Sequence, residues 1–337
     1  MRLLSSAVLA AALIAGSGAP PAAADTIEWR FNNNYAPTRP ESAHIRNLAA
    51  DIEKRTDGRL KISVSEGGAM GLKDADAIRY MQAGTPEMAF IWPPFLGRDA
   101  PDIANVYVFG LISGAEEHLK ALPAVKSVLK EGLEKRGIAV VGYMGLSIID
   151  ASIFCREPVR SLDELKGVKL RVGTREQVET FTKLGVAAQI VPQNELYTAL
   201  QTGVIDCALY PARFAGSISV QEVAQNATYI GFPFPPAPYA MMVNKAKWEA
   251  LPDDLKGHVS DAMAALEEAS FNFDKDAIAE QEARKKVAGQ GVTWNPDFSA
   301  DDQAAIRAAA LETWDALAAE AGGDAPAYRQ RVLDALQ

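Results

Sequence analysis

Only three of the 337 residues are histidines, His44, His118 and His258, and only two are cysteines, Cys155 and Cys207. The histidines lie far apart, each on or beside an apparent helix, and none forms H-E-x-x-H or another metal spacing. Each therefore reads as a surface or capping residue, and no metal or cofactor is expected. There is no G-x-S-x-G elbow, no P-loop and no G-x-G-x-x-G after a strand; the glycines of "EGGAMG" at 66–71 lack the dinucleotide fingerprint. Carboxylates are plentiful, but no pair stands out at strand ends in the manner of a glycosidase. These absences point away from catalysis. Positive charge is also short, 34 Lys+Arg against 43 Asp+Glu, which argues against nucleic acid as a partner. Beyond the first 24 residues no apolar run approaches the length that crosses a bilayer.

What is present begins at the N-terminus. "MRLLSSAVLAAALIAGSGAPPAAAD" has a positive charge at Arg2, an apolar run from Leu3 to Ala15, and small residues at Ala22 and Ala24. This is the pattern of a secretory signal peptide, with cleavage expected after Ala24 and a soluble, exported, periplasmic product. Export makes a Cys155–Cys207 disulfide chemically accessible, yet sequence alone does not show whether the two Cα atoms lie within bonding range. A bonded pair and a free, buried pair both remain open.

Along the mature chain, apolar segments of strand character alternate with helical ones. "TIEWRF", "LKISVS" and "EMAFIW" read as strands, separated by the helices "ESAHIRNLAADIEKRT" and "DADAIRYMQAG". The alternation resumes at "GIAVVGYM" and runs through "KLRV", "REQVETFTKLG", "AAQIVP", "NELYTALQTG" and "VIDCALY". Such spacing is that of βαβ units, so the fold class is α/β, and about 310 mature residues suggest two domains. From Pro252 to Gly289 no proline intervenes and charged residues alternate with apolar ones at helical spacing. One long helix running across both domains is expected there.

The stretch "LDELKGVKLRVGT" (162–174) holds an anomaly. Side chains alternate along a strand, so Arg171 shares a face with Lys169 and opposes Val168, Leu170 and Val172. Either this is a half-exposed strand with two solvated cations, or a guanidinium aimed into a cleft to hold an anion.

The run "SLDELKGVKLRV…ALQTGVIDCALYP" resembles the solute-binding subunits of tripartite ATP-independent periplasmic (TRAP) transporters, the dicarboxylate-binding-protein-like family. Its first element is matched by Pro158, Ser161, Asp163, Lys166, Gly167, Lys169, Arg171 and Val172, and its second by Glu195, Tyr197, Ala199, Leu200, Gln201, Thr202, Gly203 and Asp206. Looser agreement over "TDGRLKISV", "GLKDADAIRYMQAGTPEMAF" and "YAMMVNKAKWEALPDDLK" extends the likeness over nearly the whole mature chain. The resemblance implies a two-domain periplasmic binding protein closing like a hinged clam, with residues 25–148 and 237–276 in domain I and 149–236 and 277–337 in domain II. It implies an organic acid as ligand, small and large TRAP permease subunits as partners, and no catalysis. It also implies that Arg171 pairs with the ligand carboxylate, a planar bidentate fit that lysine does not reproduce.

The chain departs from its relatives in ways that bear on the ligand. Counting back twenty residues to where many relatives carry a second cleft arginine reaches Ala151, beside Asp150. Where many read Gln-Glu-Asn-Pro, this chain has Ala208, Leu209, Tyr210 and Pro211, and an often polar position is Trp92. Asn34 and Tyr35 fall where relatives place a polar contact. Phe214 follows Tyr210 by one turn, and "FPFPPAPY" adds Phe232, Phe234 and Tyr239. The expected ligand set is Arg171, Tyr210, Trp92, Asn34, Tyr35, Phe214 and Phe234. One cation among aromatic walls suits an aromatic or hydrophobic monocarboxylate. The alternatives are a small 2-oxo or 2-hydroxy acid, a dicarboxylate, or, from another class, a secreted α/β enzyme acting on organic acids.

Overall fold

The computed structural model describes residues 26–337, so the leader and its cleavage after Ala24 lie outside the described residues. Eleven strands follow in chain order: β1 (Ile27–Asn32), β2 (Leu60–Ser65), β3 (Met88–Ile91), β4 (Ile138–Met144), β5 (Asp150–Cys155), β6 (Lys169–Val172), β7 (Ala187–Ile190), β8 (Cys207–Leu209), β9 (Asn226–Pro233), β10 (Tyr239–Asn244) and β11 (Thr293–Trp294). They form two sheets, ordered β2-β1-β3-β10-β4 and β11-β9-β5-β8-β6-β7. In the first, β1 runs parallel to β2 and β3, while β10 is antiparallel to β3 and β4. In the second, β6 is parallel to β7 and β8, and β5 is antiparallel to β8 and β9. The α/β class read from the alternation is the one observed.

Local chemistry explains several of these elements. The helix Pro40–Arg55 opens on proline, carries Glu41 in its first turn and Lys54 and Arg55 in its last, and buries Ile45, Leu48, Ala49 and Ile52. Proline at the first position forfeits no internal hydrogen bond, and the end charges complement the helix dipole. β3 and most of β5 are buried along their length, as strands covered on both faces should be.

The single long helix expected from Pro252 onward is two helices, Asp253–Ser270 and Asp276–Gly289. Between them Asn272 accepts a hydrogen bond from the Asp274 N–H at 3.2 Å, a side-chain turn that competes with helix propagation. The rings of Phe271 and Phe273 leave the helical path to pack around His118. The first helix lies on β4 and the second on the short helix Ala212–Ala215, so the break falls where the chain passes from one sheet to the other. There Gly145 donates to Ser270 Oγ at 2.8 Å, and a Cβ on Gly145 would stand 2.5 Å from the Ser270 carbonyl oxygen. Only glycine fits that approach. The helix Ala300–Ala321 packs on Arg175–Lys183, and the last helix, Ala325–Asp334, returns to lie against Pro101–Ala104 and Ala115–Glu134.

Two expectations are settled by packing. His118, read as a surface or capping residue, is fully buried, with Nδ1 3.1 Å from the Tyr107 hydroxyl. Burial, aided by the nearby Lys126 charge, lowers its pKa to about 4, so it is a neutral core residue at physiological pH. Cys155 and Cys207 face each other across β5 and β8, Cα atoms 4.1 Å apart, and are disulfide-bonded.

Glu176, in the first turn of Arg175–Lys183, is 4% exposed, and one of its carboxyl oxygens accepts a hydrogen bond from Thr180 at 3.1 Å. Burial raises its pKa from the ordinary 4.5 to about 8. The folded state then holds a proton that the unfolded chain releases above pH 4.5. Its contribution therefore falls as pH rises from about 4.5 to about 8 and is flat beyond. Glu176→Gln should raise stability at pH 8, on the order of 2–4 kcal/mol, with little effect at pH 4. Urea denaturation of both proteins at the two pH values measures this; equal gains at both would refute the linkage.

Candidate functional site

β6 explains how an arginine enters the interior. Its burial goes from exposed Lys169, which donates to the Gly203 carbonyl, to buried Leu170, Arg171 and Val172, in a strand flanked on both edges by β7 and β8. Arg171 is 7% exposed. Its Nε donates to the Val191 carbonyl at 2.8 Å, just past β7, and one terminal nitrogen to the Leu209 carbonyl at 3.4 Å, at the end of β8. Thus the guanidinium lies across the carboxyl ends of two parallel neighbours, where ligands of open α/β sheets bind. Among the described residues no carboxylate lies within ion-pair range of it. Desolvation lowers its pKa to about 10, which leaves it charged at neutral pH.

The Tyr210 ring lies 5.9 Å from the Arg171 guanidinium carbon. Tyr210 is buried and its hydroxyl has no hydrogen-bond partner. Burial raises its pKa to about 12, even though the charges of Arg39 and Arg171 pull it down, so the hydroxyl keeps its proton. Trp92, at the end of β3, likewise has a buried, unpartnered Nε1 and packs edge-on against Phe95. Unpaired buried donors are costly. An oxygen-bearing solute would satisfy both kinds of group.

On the first sheet, the turn after β1 is held by Asn33, which accepts from the Tyr35 N–H and donates to Ser42. Asn34 instead donates to Asp74 at 2.7 Å. Tyr35 packs edge-on against Phe90 and Tyr239, at 5.2 and 5.9 Å between centroids. On its face sits Arg39, which sequence reading missed. The Arg39 guanidinium carbon lies 4.0 Å from the Tyr35 ring and 4.0 Å from the ring of Phe214, which follows β8 in the second sheet. It also donates to Gln193, from the same side, at 3.3 Å. Its charge is met by Glu41, which accepts at 2.5 and 3.0 Å and also receives the Tyr239 hydroxyl at 3.2 Å. Burial opposes both charges, but pairing prevails: Glu41 stays below and Arg39 above its usual range.

Of the expected set, the structure joins Tyr35 and Phe214 through Arg39, and Arg171 with Tyr210. Phe234 has its ring against Phe109, as does Phe232, in the connection between the sheets. Ala151 is buried, and Asp150 beside it pairs with Arg284. A groove of about 450 Å³ lined by Ile148, Asp150, Asp276, Glu280 and Arg284 also opens near that connection. Arg284 is held by Asp150, and Arg213 by Asp276, so it offers no free cation. Arg39 precedes a proline at a helix start, and Glu41 resembles any dipole-complementing acid. No local signal marks them.

The sequence profile of bacterial extracellular solute-binding proteins, family 7, matches residues 31–321. The C4-dicarboxylate-binding periplasmic protein DctP of Rhodobacter capsulatus is 26% identical over 318 residues, 90% of each chain. DctP7, a Bordetella pertussis extracytoplasmic solute receptor binding pyroglutamic acid, superposes with a TM-score of 0.82 at 22% identity, over 92% of this chain and 99% of that one. A TRAP periplasmic solute-binding protein from Desulfovibrio salexigens with bound orotic acid gives 0.81 at 21% identity, over 92% and 98%.

Proposed function

Because the chain belongs to the bacterial extracellular solute-binding proteins of family 7, the receptor family of TRAP transporters, we propose that it captures an organic acid anion in the periplasm and presents it to the two TRAP permease subunits. One observation carries the reading: Arg171 is buried, charged and without a carboxylate partner, a state that an incoming carboxylate would compensate with two parallel, charge-assisted hydrogen bonds. The lobes are residues 25–148 with 237–276, and 149–236 with 277–337, with the last helix reaching back to the first lobe. Closure would follow from ligand contacts made to both, since only differential affinity shifts such an equilibrium. Release from the membrane leader would follow cleavage after Ala24. The role is binding and delivery, without turnover.

Within that role, the ligand we propose is a monocarboxylate with an aromatic or otherwise apolar body that also carries an oxygen acceptor. Arg171 is the cation free to bind it; Tyr210, Trp92, Tyr35 and Phe214 supply rings, and the Tyr210 hydroxyl and Trp92 Nε1 supply donors. Asn34 would be a polar contact, while Phe234 would support the wall from behind. Bound orotate and pyroglutamate in receptors of the same fold are single carboxylates on rings with further oxygens, which is compatible chemistry. The dicarboxylate named for the Rhodobacter capsulatus relative favours a second reading, in which two carboxylates are held.

The test is a thermal-shift panel on the ligand-stripped mature protein, with aryl and heteroaryl monocarboxylates, 2-oxo acids and dicarboxylates. A ligand at a hundred times its dissociation constant should stabilise by about 2.7 kcal/mol. Shifts confined to dicarboxylates would overturn the monocarboxylate reading, and an absence of shifts with every acid would overturn acid capture itself.

A further inference from the structure

We propose that Glu41 determines how many carboxylates the cleft accepts, by consuming the charge of a second buried arginine that would otherwise bind one. The inference rests on the acid-receptor reading above. Two arginines are buried, Arg39 of the first lobe at 5% exposure, in contact with Gln193 and Phe214 of the second, and Arg171 of the second lobe at 7%. The charges of both act on Tyr210, whose hydroxyl has no partner. Their partners differ in charge: Arg171 has only carbonyl partners, whereas Arg39 meets Glu41 in a two-point pair at 2.5 and 3.0 Å.

Glu41 takes the Nε/Nη2 edge of the Arg39 guanidinium and Gln193 accepts from the remaining nitrogen, so the charge is already met by a carboxylate before any ligand arrives. The faces of the guanidinium are covered as well, by Tyr35 on one side and Phe214 on the other. Glu41 is itself fixed, because the Tyr239 hydroxyl donates to it and the Tyr239 ring is wedged against Tyr35 and Phe90. A ligand's second carboxylate approaching here would meet Glu41, a buried like charge, and would have no free cation. Such repulsion is how a site rejects a competitor without altering its attraction for the preferred ligand. Remove the Glu41 charge, and Arg39 becomes a second anion clamp facing the same cleft from the opposite lobe.

The experiment compares wild type with Glu41→Gln and with the neutral double variant Arg39→Gln/Glu41→Gln. Two matched probe pairs are titrated by calorimetry, phenylacetate against phenylsuccinate and pyruvate against malate. Wild type should favour the single-carboxylate member of a pair. Glu41→Gln should shift the ratio at least ten-fold toward the two-carboxylate member. The double variant, which conserves the pair's net charge, should keep the wild-type ratio. A folded Glu41→Gln with its ratio within two-fold of wild type would overturn the proposal. So would a double variant that loses its monocarboxylate preference, and this second arm decides the matter should Glu41→Gln fail to fold. If wild type binds none of the four probes in an assay where other acids stabilise it, the probe body is wrong and the same variants are compared on whichever acids bind. If no acid binds, the receptor reading falls and the inference falls with it.

Discussion

Replacing Arg171 by methionine should reduce acid affinity at least a hundred-fold while leaving the unliganded protein about as stable as wild type. In the complex, truncating one partner of a buried charge pair strands the other, which typically costs about 2–5 kcal/mol. At about 1.4 kcal/mol per factor of ten, the middle of that range exceeds a hundred-fold. The free protein behaves differently. There the guanidinium is a buried charge held by two carbonyl oxygens, at 2.8 and 3.4 Å, with no counter-anion. Removing it relieves desolvation of the charge and loses those two bonds, while methionine fills most of the volume. The two effects oppose, and we expect a net change within about 1 kcal/mol, at the low end of what a buried substitution does.

Arg171→Lys should fall between the two, because an ammonium keeps the charge but not the planar fork. Isothermal titration with whichever acid the panel identifies, together with urea denaturation of the unliganded proteins, separates the outcomes. A large loss of stability with affinity unchanged would make Arg171 a structural residue of β6 and remove the main support for the proposed site.

The second large effect concerns Cys155 and Cys207. Their bond closes a loop of sequence separation 52 that contains β6, β7 and the helices between. The chain-entropy relation for a loop of that length gives about 4 kcal/mol of stabilisation through the unfolded state. β8 has only three residues and sits between β5 and β6, so the bond also ties down a short central strand whose last carbonyl receives Arg171. Cys155→Ala/Cys207→Ala should lower the melting temperature by roughly 10 °C, with acid affinity changed less than ten-fold, because neither sulfur belongs to the Arg171–Tyr210 group. Adding a thiol reductant to wild type should reproduce part of the loss. A double variant as stable as wild type would mean that the bond contributes nothing.

How much of this was legible beforehand depended on how local the determinant was. The α/β alternation, the helix Pro40–Arg55 and the strand β6 follow from periodicity and end chemistry within a dozen residues. Arg171 stood out because a strand bearing an arginine among aliphatic residues contradicts its own pattern. The helix break at Phe271–Lys275 was hidden, because helical spacing persists in the sequence while Asn272 and two phenylalanines seeking His118 divert the backbone. His118 itself gave no sign of burial, since its partner Tyr107 and the rings around it come from separate segments.

The sequence by itself determined the class of fold, the family and one candidate anion-binding residue, since each is written in short-range pattern or contiguous motif. Only the tertiary structure decided which charges are free. Arg39 and Glu41 meet within one turn, but Gln193 and Tyr239, 154 and 198 residues distant from them, hold that pair between the lobes. Whether a buried arginine is a clamp or is already neutralised depends on a carboxylate a few ångströms away. Distances of that kind exist only after distant segments have packed together.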